Sequence, residues 1–316
     1  MTSDSGIRIH HQGAISVVIP THNRSSLLSV AIASILRSPL IVSPEQIIVV
    51  HDNSDDQTEE VARRYGVRYV RVPHHSIGAS RDAGCALAQT RYVCFLDDDD
   101  AWLPGNMEAQ IAALEAQPNL AFAYGIAQCA TEELEPLPMT TYPSPPLVSG
   151  IAPAQLHVSS TGCSGYPQIG TVLFRRDAIA EVGGSDLRLR VQQECDLMLR
   201  IAARHEIVGI EVVGVLHRVR APSKARSDTH WGYREGAIWW WPRRVGVGWR
   251  TKVKFLVWQR GWFFSGFTED AAACAEGGDR RDALVCLSRA LWISPMHALR
   301  HGRTVLLILW RAIGET

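Results

Sequence analysis

Four consecutive carboxylates, Asp97, Asp98, Asp99 and Asp100, follow a short apolar run from Tyr92 to Leu96. Adjacent acids at a strand end repel one another unless a cation lies among them. A hard divalent ion suits such a site, because Mg²⁺ and Mn²⁺ prefer carboxylate oxygen. In extended backbone, side chains two residues apart point the same way, so Asp97 and Asp99 can share one focus. The other reading is a solvated acidic turn that caps the next helix, since Asp favours a helix N-terminus. The tetrad alone leaves both open.

The elements upstream must position it. Ile15 to Ile19 is a short β-branched run, and Pro20 to Arg24 reads as a loop. Leu28, Ile32, Ile35 and Leu36 recur at helical spacing. A second apolar run, Gln46 to Val50, ends in the acidic turn His51 to Asp56, where Asp55 and Asp56 read as solvated. A helix over Thr58–Tyr65, a strand over Val67–Val72, a small-residue helix over Gly78–Gln89 and the strand Tyr92–Leu96 follow. This β-α-β-α-β-α-β order predicts an α/β fold with a parallel sheet and helices on both faces. Ligands bind such sheets outside the carboxyl ends of the strands. Thr21, Asn23, Arg24, Asp52 and the tetrad all fall there. Neither a Gly-x-Gly-x-x-Gly fingerprint nor a P-loop is present.

Downstream, a helix over Pro104–Ala116 is expected, with Asp100 at its start. Leu120–Ala127 reads as a strand, and residues 131–168 as a long surface excursion rich in Pro, Ser, Thr and Gly. A strand over Thr171–Phe174, a short helix to Val182 and a Gly183–Gly184 turn come next. A helix from Gln192 then opens with Glu194 and Asp196, and a strand over Ile210–Leu216 runs into His217.

The 316 residues carry no net charge, but the charge is unevenly spread. Residues 1–217 hold 15 Lys/Arg and 24 Asp/Glu, a balance of −9, and residues 218–316 a balance of +9. Nine of the ten Trp lie in the second part. A domain boundary is therefore placed between 217 and 218. The seven cysteines are scattered, without a Cys-x-x-Cys pair, which argues for a reducing compartment and against a disulfide frame. The N-terminus has no apolar signal core, and no apolar run is long enough to span a bilayer. A cytoplasmic location is expected.

Several segments together resemble the inverting family-2 glycosyltransferases of the GT-A fold. Ser16–Arg24 (SVVIPTHNR) looks like their VSVVIPTYNR, with His22 for Tyr. Ile47–Thr58 is similar to IIVVDDGSTDDT, with His51 for the first Asp and Asn53 for Gly. Gly78–Gly84 resembles GxxxARNxG, with Asp82 for Asn, and Phe95–Pro104 resembles FLDDDDxWxP. Gly183–Gly184 with Gln193–Arg200 is similar to GG…(E/Q)DxDLxLR. The resemblance covers about residues 14–217.

It implies a sugar transferase with a nucleoside-diphosphate donor, a Mn²⁺ or Mg²⁺ cofactor, and a glycan or lipid-linked acceptor of the kind used in polysaccharide assembly. Asp52 would meet the nucleobase, flanked by Pro20, Thr21, Asn23 and Arg24. Arg81 would lie near the diphosphate or the base. Asp97 and Asp98 would lie on the nucleotide-sugar, Asp97 also on the ion. Asp99 would hold the ion, and His217 would be a third ligand or a solvent-facing residue. The general base would be Glu194, matching the first Asp of the family's DxDL, with Asp196 in reserve. Two other functions remain. A nucleotidyltransferase would want a Gly-rich basic first loop and a Lys, which Pro20–Arg24 lacks. A non-catalytic sugar-nucleotide binding module would differ only in lacking turnover.

The basic tail interleaves Trp231, Trp239, Trp240, Trp241, Trp249, Trp258 and Trp262 with arginines and lysines, then offers amphipathic helices over Asp279–Trp292 and Pro295–Ala312. It fits a helical appendage packed on the catalytic domain or on another copy of the chain. It also fits a peripheral contact with the inner face of a membrane, since Trp and Arg suit the headgroup zone. No nucleic-acid-binding module is recognisable, and the acidic first half opposes that partner.

Overall fold

The computed structural model describes residues 13–53, 55–142, 147, 149–150, 167–189, 193–219, 227 and 249–313. The chain divides into two compact units, Met1–Val219 and Arg220–Thr316.

The first unit is built on strands that read as continuous apolar runs because both of their faces are covered. β1 (Ile15–Thr21) and β2 (Ile47–Asp52) are buried along their whole lengths. β3 (Arg68–Val72) and β4 (Tyr92–Phe95) complete a parallel quartet in the order β3-β2-β1-β4. The intervening helices are α1 (Ser25–Ile35), α2 (Thr58–Tyr65) and α3 (Ile77–Leu87). Helix α1 buries Leu28, Ile32 and Ile35 of the stripe its spacing predicts, together with Ala31, while Leu36 is the half-buried C-cap.

Beyond β4 the sheet is mixed. β5 (Ala101–Trp102), β6 (Leu120–Ala130), β7 (Pro136–Tyr142), β8 (Val172–Arg175) and β9 (Glu206–Arg218) extend it to nine strands among the described residues. β8 is antiparallel to both β4 and β6, and β9 is parallel to β6 and antiparallel to β5. Helices α4 (Glu108–Ala116), α5 (Arg176–Glu181) and α6 (Gln193–Ala202) complete the unit.

Two sequence expectations change here. The tetrad leads into a strand: Ala101 and Trp102 pair with Leu216 and Val215, and the Trp102 N–H donates to Ser34 Oγ at 2.9 Å. The helix waits until Glu108, because Pro104 disfavours helical backbone before it and Gly105 and Met107 take positive φ values of 86° and 73°. Asp100 therefore starts no helix. Part of the expected surface excursion is strand β7, paired with β6; most of the remainder lies outside the described residues.

The second unit contains α7 (Trp249–Glu276), α8 (Arg280–Ile293), α9 (Pro295–Arg300) and α10 (Gly302–Ile313). Asp279 caps α8, its side chain accepting from the Asp282 N–H at 3.1 Å. Phe263, Phe267, Cys286, Leu287 and Ile308 form its core. The single helix expected over Pro295–Ala312 is broken at His301, whose φ of −105° and ψ of 29° depart from helical values. Trp231, Trp239, Trp240 and Trp241 lie outside the described residues. Among the described residues no helix is long and apolar enough to cross a membrane.

Close approach of α3 to the sheet needs Gly84, where a Cβ would lie 2.3 Å from Val18 Cγ1. Gly84→Ala should destabilise the fold by about 1–3 kcal/mol through overpacking. Urea unfolding measures this; an unchanged midpoint would show that α3 is not seated so tightly.

Candidate active site

The loops at the carboxyl ends of β1, β2 and β4 meet the start of α3 around a cavity of about 430 Å³. Pro20, Thr21, His22 and Arg24 line it from β1, and Asp52 from β2. His75, Ser76, Ile77 and Ser80 line it from the α3 entry, and Asp98 from the tetrad. Asn23 is not among the lining residues. It takes φ 54°, and its amide meets His22 Nε2 at 3.2 Å. The His22 Nδ1 lies 2.6 Å from the Asp52 carbonyl oxygen, which can only accept, so Nδ1 carries the hydrogen.

Asp52 lies at the hub of this cavity. Its Oδ1 accepts from the His74 and His75 N–H groups at 2.8 Å each. Its Oδ2 accepts from the Ser76 N–H at 2.8 Å and from Ser80 Oγ at 3.1 Å. Burial pushes the carboxyl pKa up, but the donors from His75, Ser76, Ser80 and His74 outweigh it and hold Asp52 below the ordinary carboxylate range. The side chain thus fixes the entry to α3 as well as facing the cavity.

Every carboxylate of the tetrad meets an arginine or a histidine from elsewhere in the fold. Arg81 NH2 lies 2.7 Å from Asp97 Oδ1. Arg24 NH1 lies 3.0 Å from Asp98 Oδ1 and 2.7 Å from Asp99 Oδ2. His217 Nδ1 lies 3.0 Å from Asp100 Oδ2. Asp98 is buried, and burial, with Arg24 opposing, lifts its pKa to about 6. Asp100 is also buried and accepts from Gln168 Nε2 at 2.6 Å and the Arg218 N–H at 2.9 Å. Burial raises its pKa to about 6 against the pull of His217. Burial opposes the His217 charge in turn, and Asp100 overrides that to raise its pKa.

These pairings bear on ion binding. Among the described residues, no three His, Cys, Asp or Glu side chains are arranged to hold an ion by themselves. Asp97 uses Oδ1 on Arg81 and Asp99 uses Oδ2 on Arg24, which leaves one oxygen of each unbonded among the described residues. Two hard oxygens, two residues apart and part-exposed, fit an ion that completes its shell from a ligand's phosphates. His217 presents Nδ1 to Asp100, away from a ligand role for that nitrogen.

Helix α6 brings its first turn to the same place. Glu194 Oε2 lies 3.2 Å from Arg81 NH1, so one buried guanidinium spans Asp97 and Glu194. Asp196 is buried and turned the other way, 2.7 Å from Arg200 Nε. Arg200 also donates to the Val182 and Gly184 carbonyls at 2.6 Å each, which ties α6 to the Gly183–Gly184 turn. Asp82 secures that turn from α3 by accepting from the Ser185 N–H and hydroxyl at 3.0 and 2.9 Å.

The sequence did not single out His22, Ser76, Ile77 or Ser80 as cavity residues. Ser76 had a visible signal, since Ser before a helix is a cap, and its side chain accepts from the Ala79 N–H. Asp56 is not a solvated turn residue. It accepts from the Ser25 N–H at 2.9 Å and the Thr58 N–H at 3.1 Å, tying the first loop to the second.

Asp52→Asn replaces an acceptor with an amide that faces several N–H donors. It should cost about 1–3 kcal/mol at neutral pH. A depressed native pKa contributes stability above the unfolded-state value and loses it as pH falls through the native one. The deficit of the variant should therefore begin to shrink as pH falls below about 4, the unfolded-state value, and close as pH passes through the lower native one. Denaturant titrations at both pH values test this, and a pH-independent deficit would contradict it.

The profile of Glycosyl transferase family 2 matches residues 16–182. An uncharacterized glycosyltransferase of Haemophilus influenzae is 23% identical over 189 residues, 59% of this chain and 61% of that protein. The Escherichia coli UDP-Glc:alpha-D-GlcNAc-diphosphoundecaprenol beta-1,3-glucosyltransferase WfgD is 26% identical over 35% of this chain and 44% of its own length. The chain thus spans less than two thirds of either relative. Residues 1–349 of S. aureus TarS, solved with UDP-GlcNAc, superpose with a TM-score of 0.55 at 14% identity over 94% of this chain and 86% of that one. The mannosyltransferase PcManGT of Pyrobaculum calidifontis, solved with GDP-Man and Mn2+, gives 0.55 at 13% identity over 96% and 86%. With its GT-A sheet and its match across more than half its length, the chain belongs to glycosyl transferase family 2.

Proposed function

We propose that the chain transfers a sugar from a nucleoside-diphosphate donor to an acceptor hydroxyl by a single displacement that inverts the anomeric centre. The observation that carries this reading is the Arg81 guanidinium shared by Asp97 and Glu194. It brings the donor-phosphate end of the site and a candidate base within one side chain's reach. The nucleoside would occupy the cavity between Pro20–Arg24, Asp52 and the start of α3. Asp97 and Asp99 would offer their unbonded oxygens to Mn²⁺ or Mg²⁺. When bound, such an ion supplies Lewis-acid stabilisation of the departing diphosphate.

Glu194 would take the proton of the acceptor hydroxyl as it attacks. Its side chain is part-exposed, whereas that of Asp196 is buried against Arg200. Glu194 is accordingly favoured as the base. The acceptor would be a glycan or a lipid-linked sugar, by analogy with the diphosphoundecaprenol acceptor in the name of WfgD.

A thermal-shift series with UDP and GDP tests the donor site. Stabilisation by one of them, increased by Mn²⁺, is expected. Failure to release nucleoside diphosphate from any sugar nucleotide would sink the enzyme reading. Glu194→Gln should lower transfer by roughly 10²–10⁴-fold while keeping the nucleotide-induced shift; unaltered turnover would move the base elsewhere. Arg81→Lys keeps the charge but loses the fork. The displaced Glu194 should cost about 10²-fold in kcat, and wild-type kcat in that variant would show that Arg81 does not position Glu194.

A further inference from the structure

The second unit carries the most exposed apolar side chains of the described residues. Leu299 is 84% exposed, Met296 68%, Leu306 66%, Trp310 65% and Trp292 63%. Single exposed leucines are ordinary, but five such residues within one short stretch are not. Helix α10 shows how they are arranged. Val305, Ile308 and Ala312 are buried in the core of the unit. Leu306, Leu307 and Trp310 therefore lie on the opposite face, and Arg303 shares it at the i, i+4, i+7 positions. The outward face of this helix is apolar where a soluble helix would carry charge.

The charge carried by α9 and α10 themselves has one sign. Residues 292–313 contain Arg300, Arg303 and Arg311 and no Asp or Glu. Arg311 is paired with Glu276 on α7. Arg300 and Arg303 are exposed and have no acidic partner among the described residues. Tryptophan, long aliphatic side chains and unpaired arginines suit the boundary between lipid headgroups and acyl chains, where the apolar atoms leave water and the guanidinium groups meet phosphate. An exposed protein surface with equal numbers of both charges would not fit this face.

We infer that α9 and α10 form a surface-binding face for an anionic lipid bilayer, with Met296, Leu299, Leu306, Leu307 and Trp310 entering the interface and Arg300 and Arg303 pairing with lipid phosphates. The helices lie in the interface and do not span it. This inference is independent of the donor, the ion and the base, so it stands or falls apart from the transfer reaction.

Vesicle co-sedimentation of the full chain tests it. Vesicles of phosphatidylcholine and phosphatidylglycerol in equal parts should bind the protein, and pure phosphatidylcholine vesicles should bind it far less. Arg300→Gln with Arg303→Gln should weaken binding to the anionic vesicles by about thirtyfold. Leu306→Ser with Trp310→Ser should weaken it by at least about tenfold. Both pairs change exposed residues, and unchanged thermal unfolding would show that each variant folds. Equal binding to neutral and anionic vesicles, or full binding by both variants, would overturn the inference. Sedimentation velocity without lipid covers the rival occupant. A wild-type dimer that Leu306→Ser with Trp310→Ser converts to monomer would assign the face to a second copy and overturn the lipid assignment.

Discussion

Four adjacent carboxylates at a strand end are the constraint on which the first unit depends. Two of them, Asp98 and Asp100, are almost fully buried, and an unpaired buried carboxylate costs several kcal/mol. The fold answers with basic side chains from three separate places: Arg24 after β1, Arg81 on α3 and His217 near the end of β9. Each fixes an element as well as a charge. Arg24 holds the first loop over the tetrad, Arg81 joins α3 to α6, and Asp100 receives the end of β9 through His217 and the Arg218 N–H. The charge problem and the geometry of the site are therefore solved by the same contacts.

That arrangement bears on how an ion would enter. A cluster of four bare carboxylates would draw a divalent cation without any nucleotide. Here the protein's own cations already offset much of that charge, and one oxygen each of Asp97 and Asp99 stays unbonded among the described residues. On the proposed reading, ion and diphosphate complete one another's coordination, because a hard cation held by two carboxylate oxygens still needs further oxygens. Arg24 then has two possible anions, the tetrad and the incoming phosphates. A guanidinium suits either.

The alternation of strands and helices through β4 was legible because apolar runs and helical stripes are local patterns. What escaped the sequence depends on partners far along the chain. Ala101–Trp102 became a strand because β9 lies beside it, and no local signal announces that pairing. Asp56 read as solvent-facing because its partner Ser25 stands at the start of α1, far back in the chain. Arg81 was recognisable as a site residue, but its two partners come from the loop after β4 and from α6, and only the folded sheet brings them together. The pairing of Asp196 with Arg200 is the opposite case, since an i, i+4 acid–base pair on a helix is local.

The departures from the family pattern follow the same logic. His51 replaces an Asp, and its ring is buried between the Tyr69 hydroxyl at 2.7 Å and Asp56 at 3.6 Å, where a second carboxylate would face Asp56 with like charge. Asp82 replaces an Asn and spends its acceptors on Ser185. Glu194 replaces the shorter Asp, which on its own would add a rotatable bond at the proposed base. Its extra reach is taken up by Arg81, itself held by Asp97. A longer side chain anchored to a buried guanidinium is positioned by that anchor, so the added methylene need not loosen the base against an acceptor hydroxyl.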